Sequence, residues 1–206
     1  STLSTEYWIL DADHSDSQFK VVQPRERDLE YQVELFRDKF YFRTNYLAKI
    51  FRLMEAPLDK STKENWIELV PHRDDVLLEG IEIFNDYLVV EERKSGLTQI
   101  RAIGWADRAE HSLDFGEATY AASIGINPEF DTDWLRYSYS SLTTPNSTYD
   151  YNLKTREKKL LKRQEVLGGF SPESYQAERL YATAADGVKI PISVVYRKVL
   201  QKNGIN

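Results

Sequence analysis

The sequence predicts an all-β fold, and three observations carry the prediction. Apolar and polar residues alternate from residue 7 to about residue 163, the period of a half-buried strand. Aromatic residues make up 13% of the chain, with 13 tyrosines, and such side chains suit pleated, half-covered surfaces. No long stretch carries a 3.6-residue apolar stripe, so long amphipathic helices are not expected.

The elements follow in order. Residues 39–45 (KFYFRTN) and 87–93 (YLVVEER) are short aromatic or β-branched runs bounded by polar turn residues, and read as strands. Residues 154–164 look helical by composition but continue the strand series, and are assigned to a turn and an edge strand. A repeat organises these strands. Phe36, then Asp38, then a strand is matched by Phe84, then Asp86, then a strand. Asp133 before Trp134 repeats the last step. The aspartates lie 48 and 47 residues apart. Each is expected in the tight turn between the first and second strands of a unit, with its side chain accepting bonds from nearby amides. A period of roughly 40–50 residues with four strands per period is the signature of a β-propeller blade. Three similar hairpins in an ordinary sandwich are the alternative.

On the propeller reading, units cover residues 31–70, 79–115 and 119–163, and residues 7–25 supply the outer strands of a preceding, incomplete unit. The fold is thus a partial β-propeller of about three to four four-stranded antiparallel blades. Residues 166–172 (VLGGFSP) are punctuated by glycine and proline like a linker. Residues 175–185 and 188–197 then flank Asp186-Gly187, expected to form a two-residue hairpin turn with both residues at positive φ. Pro191 offers no N–H, so its strand should lie at an edge or carry a bulge. Residues 202–206 read as a turn, and a hairpin without its sheet suggests a second domain truncated at its start.

Composition narrows function. With 206 residues, 41% hydrophobic and 29% charged, the chain is long enough for one domain and part of another. Its 27 basic and 33 acidic residues leave a net charge of −6, which argues against a nucleic-acid partner. There are no cysteines, so disulfides, thiolate nucleophiles and cysteine-held metals are excluded. No apolar run approaches the roughly 20 residues of a membrane helix. The first residues lack both an initiator Met and the pattern of a signal peptide, and read as an internal cut in a longer protein.

The search for chemistry finds no site. No Gly-x-Ser-x-Gly elbow is present. His14, His72 and His111 each lie in polar surroundings and read as solvated loop histidines. Pairing His72 with Asp74 or Asp75 as a base is weaker than reading residues 71–75 as a turn between units. Asp11, Asp13 and Asp16 mimic the start of a calcium loop but lack its glycine and closing glutamate, so they read as a solvated hairpin. Gly168-Gly169 is no phosphate cradle, since no helix start follows. Residues 25–28 (RERD) and 91–93 (EER) read as exposed ion pairs worth at most about 1 kcal/mol each. The basic cluster at 154–163 reads as a solvated face.

Several of these segments resemble a known family. Residues 40–45 (FYFRTN), 87–93 (YLVVEER), 137–145 (YSYSSLTTP) and 166–170 (VLGGF) are similar to the oligopeptidase B (protease II) branch of the prolyl oligopeptidase serine peptidases. So are residues 178–180 (ERL) followed by 185–191 (ADGVKIP). The resemblance runs in unbroken order over nearly the whole chain. It implies a seven-bladed propeller set over an α/β-hydrolase domain with a Ser-Asp-His triad. The implied enzyme cleaves short peptides after Lys or Arg, and its propeller restricts access to small, flexible substrates. Residues 1–165 would be the later blades, 166–177 the linker, and 178–206 the first hairpin of the hydrolase domain.

The family's elbow, triad and acidic specificity residues would all lie beyond Asn206. No residue here is therefore assigned a catalytic, cofactor-binding or metal role, no cofactor is expected, and the chain alone should be inactive. The expected location is the cytoplasm. The expected partners are the rest of the peptidase, namely its catalytic domain and missing blades, with short basic peptides as substrate of the parent enzyme. Two uncovered blade faces, each expected to be an apolar patch, should also drive self-association, as in a symmetric dimer. Neither nucleic acid nor membrane is expected as a partner. The alternative is a stand-alone β-propeller-like protein-interaction module with no enzymatic parent.

Overall fold

The computed structural model describes residues 3–14 and 16–200, and the chain divides after Gly80 into two compact units. In the first unit, β1 (Trp8–Ile9) and β2 (Lys20–Val21) form a short antiparallel pair. β3 (Tyr31–Phe36), β4 (Lys39–Thr44), β5 (Arg52–Pro57) and β6 (Ile67–Val70) follow as a four-stranded antiparallel sheet in chain order. The β3–β4 turn needs only Arg37 and Asp38, with Arg37 at φ 56°. Tyr31, Phe40, Phe42, Met54 and Trp66 bury against Val22 and Leu29, and the Phe42 and Trp66 rings stack at 4.3 Å. The Tyr31 hydroxyl donates to the Gln23 carbonyl at 2.8 Å and accepts from the Tyr7 amide at 3.0 Å. The short pair is thereby fastened to the sheet.

Strand β7 (Val76–Ile83) crosses the division at Gly80. It borders a second meander with β8 (Tyr87–Lys94), β9 (Leu97–Gly104) and β10 (Glu110–Ser112). The third meander is β11 (Tyr120–Ile124), β12 (Trp134–Ser141), β13 (Ser147–Asn152) and β14 (Lys158–Arg163). The three sheets match the three sequence units within a few residues. In the second unit the second and third sheets pack face to face through Phe84, Val89, Ile100, Leu135, Tyr137 and Tyr151. Tyr120 donates across to the Thr98 carbonyl at 2.8 Å, and the Glu91 carboxylate accepts from the Ile124 amide at 3.0 Å.

The aspartate repeat marks equivalent positions, but its recurring bond is not the expected one. The main-chain carbonyls of Asp38, Asp86 and Asp133 accept from the amides of Leu58, Trp105 and Leu153, at 3.2, 3.0 and 2.8 Å. Each donor is the residue just past the third strand of its sheet. Asp133 also differs from the other two in closing a loop over residues 125–133 instead of a two-residue turn.

Residues 164–171 are irregular, and Gly168 and Gly169 sit at φ 90° and 79° with nothing near the space a Cβ would fill. β15 (Tyr175–Thr183) and β16 (Lys189–Arg197) then form a two-stranded hairpin. Both strands are edges, so Pro191 is accommodated opposite Tyr181. The turn corrects the two-residue expectation. Gly187 alone is at positive φ (86°), and its amide donates to Ala184 while Ala184 donates to Val188, both at 2.9 Å. The loop is therefore the three residues Ala185, Asp186 and Gly187, a type I turn closed by a glycine bulge. Among the described residues, regular helix is confined to two single turns, Lys63–Asn65 and Pro172–Ser174, and no helix is long and apolar enough to cross a membrane.

Candidate functional site

The residues weighed for chemistry do not converge. His14 is exposed in the β1–β2 loop and paired with Asp11 at 2.9 Å, and that bond holds the Asp11 carboxyl below its ordinary range. His72 lies in its turn with Nε2 at 3.1 Å from Asp74, whose side chain is almost wholly exposed. His111 departs from the loop reading. It lies in β10, half-buried beside the Tyr151 ring, because its strand pairs with β9 and faces the third sheet. Burial, then the Arg156 charge, pushes its imidazole below the usual value. Among the described residues, no group of three or more His, Asp or Glu is placed to hold a metal ion.

Two charged clusters were not legible as such. Residues 91–93 are not simply exposed ion pairs. Glu92 is buried (3% exposed), because Leu88, Val90 and Glu92 share one face of β8. Its carboxylate accepts from Arg101 Nη2 at 2.7 Å and Nε at 3.3 Å, and Arg101 Nη1 reaches Glu110 at 2.6 Å. Reflecting β8 onto β9 about Ser95-Gly96 places Arg101 diagonally from Glu92, a sequence signal that would have found the pair. Glu117, in the loop from β10 to β11, accepts hydroxyl bonds from Tyr139 at 2.9 Å and from Thr143 and Thr144 at 2.7 Å. Burial alone would raise its carboxyl, and the hydroxyls outweigh that and hold it below the ordinary range. Both clusters are saturated internally, so they brace the sheets.

The surfaces left for a partner are a sheet face and the hairpin. On β12, Leu135, Tyr137 and Tyr139 turn into the core, while Arg136, Ser138 and Ser140 turn away from it. The outward face is a groove of about 1020 Å³ lined by Ala121, Ser123, Ser138, Ser140, Thr148 and Lys162. Beside it, Arg136 grips Asp150 through two bonds of 2.8 and 3.0 Å. This face carries mostly small side chains, alanine, serine and threonine among them. β14 along its border is exposed at every residue, as read for the 154–163 cluster, although Arg163 also donates to the Tyr149 hydroxyl at 3.0 Å.

The hairpin is two-faced. Register places Leu180, Ala182, Ile190, Ile192 and Val194 on one side, with Leu180, Ile190 and Ile192 exposed. The other side carries Arg179, Tyr181 and Ser193, and Arg179 donates to the Ser95 carbonyl in the β8–β9 turn.

The surroundings match known proteins over the full length of this arrangement. Residues 1–164 match the family described as prolyl oligopeptidase, N-terminal beta-propeller domain. A dipeptidyl aminopeptidase BI from Pseudoxanthomonas mexicana is 43% identical over 99% of this chain and 28% of its own length. A protease 2 from Moraxella lacunata is 32% identical over 99% of this chain and 29% of its own. The structure of oligopeptidase B from Leishmania major superposes with a TM-score of 0.85 at 30% identity, over 98% of this chain and 30% of that one. The chain thus spans less than a third of the length of these relatives. Three consecutive four-stranded meanders, and the matches that run through them, place the chain in the prolyl oligopeptidase family, with residues 1–164 belonging to its N-terminal β-propeller domain.

Proposed function

We propose that this chain comprises the later propeller blades, the linker and the opening hairpin of an oligopeptidase B-like serine peptidase. The whole enzyme cleaves short peptides after Lys or Arg, and the propeller limits access to small substrates. The supporting observation is the hairpin. Its apolar face of Leu180, Ile190 and Ile192 is exposed, and a lone two-stranded hairpin is marginal in water. It fits the start of a further sheet whose core would cover that face. The net charge of −6 suits attraction of basic peptides.

The test is a polypeptide extended through the coding sequence downstream of Asn206. It should hydrolyse a blocked peptidyl-Arg amide and lose that activity to a serine-reactive inhibitor, while the 206-residue chain alone turns nothing over. A stop codon directly after Asn206, or turnover by the repurified chain alone, would overturn the proposal. The 43% identity to a dipeptidyl aminopeptidase supports a second reading, release of dipeptides from free amino termini. Preference of the extended polypeptide for free over blocked dipeptidyl-Arg amides would select it.

A further inference from the structure

Among the contacts between the hairpin and the second sheet, Arg179 makes a hydrogen bond that packing of the sheets does not require. Arg179 projects from the polar side of β15, and its Nη2 donates to the main-chain carbonyl of Ser95 across 84 residues of sequence. The acceptor is held rigidly. Lys94 pairs with Leu97, so Ser95 and Gly96 form a two-residue turn, with φ 50° and 79°, which is the type I′ geometry. A Cβ on Gly96 would stand 3.4 Å from the same Nη2, so the guanidinium lies against the turn. The donor is held as well. Nε reaches the Tyr181 hydroxyl at 3.3 Å, and the guanidinium lies 5.9 Å from that ring's centre. Arg179 is also close enough for its charge to oppose part of the burial-driven rise of the Tyr120 phenol.

The connection leading to this contact is loose. Residues 164–169 are exposed, and two consecutive glycines hold positive φ with open space around them.

We propose that Arg179 and the Ser95-Gly96 turn form a latch that fixes the angle of the β15–β16 hairpin to the second sheet about the Gly168-Gly169 pivot. Resting on the function proposed above, the latch sets the angle between propeller and peptidase domain, which makes Arg179 a positioning residue. The guanidinium fork matters as well as its charge, since one edge serves the carbonyl and the other the tyrosine.

The chain has no cysteine, so a pair introduced at Ser112 and Ala182 takes spin labels cleanly. At a concentration below self-association, electron–electron resonance should give one narrow distance distribution for the parent chain. Arg179→Ala should add a longer, broad component, and Arg179→Lys should fall between. Ser95→Asn keeps the main-chain acceptor and suits positive φ, so it should leave the distribution unchanged. The latch is overturned if the Arg179→Ala distribution superimposes on the parent's, or if Ser95→Asn opens it equally. These labels report on the chain whatever follows it, so failure of the peptidase reading leaves this result intact. In an active extended enzyme, Arg179→Ala should raise kcat/KM several-fold for longer peptides relative to short ones, with the melting temperature unchanged. An unchanged ratio would sink the domain-angle role alone.

Discussion

Glu92 is a nearly fully buried charge in β8. It sits where the alternation of β8 calls for an apolar side chain, and Arg101 neutralises it through two bonds. Removing Glu92 leaves the largely buried Arg101 with Glu110 as its remaining carboxylate partner. Glu92→Ala should therefore cost more than a surface pair, which is worth under about 1 kcal/mol, and less than the about 3–5 kcal/mol of a buried charge left with no partner, read from urea unfolding. His111 gives a pH signature. Its folded pKa lies below the ordinary 6.5, so the unfolded chain binds more protons in the interval between the two values. That contribution to stability is complete above the unfolded value and is lost as pH falls through the interval. His111→Gln should flatten the mildly acidic limb of the stability curve, and an unchanged limb would show that another group causes it. Neither residue's burial was legible beforehand, because local polarity hides it. His111 sits among Glu110, Ser112 and Asp114, and its cover comes from Tyr151, forty residues on.

The strands and their grouping were legible because both signals are local. Alternation sets which residues form strands, and the aspartate spacing counts the sheets. Turn length was less legible. Asp186-Gly187 announces a glycine at positive φ, but the number of loop residues depends on which strand pair closes first, here Ala184 with Val188. The border strand β14 carries a further expectation. It runs six exposed residues, with a bulge where Thr148–Tyr149 faces Leu160 to Lys162, and with Lys159 and Lys162 along it. Bulges and lysines are the usual protection of an open strand edge. Replacing Lys159 and Lys162 together with threonine should cause association at concentrations the parent tolerates. Light scattering unchanged from the parent would show that the edge is guarded by something else.

The whole chain has two exposed surfaces that differ from each other in kind. The outward face of the third sheet is tiled with alanine, serine and threonine, and such a face offers little driving force for self-association. The exposed leucine and isoleucines of the hairpin offer more. Sedimentation should show concentration-dependent dimers of the chain, and Leu180→Asp with Ile192→Asp should return it to monomer. A parent chain that stays monomeric at high concentration would refute this proposal. One further consequence comes from the meander order, in which, among the described residues, no strand pairs with any but its neighbour in sequence. Contact order within each sheet is low, and low contact order favours fast folding. A nascent chain leaving the ribosome can close each sheet as its fourth strand emerges, without waiting for later synthesis.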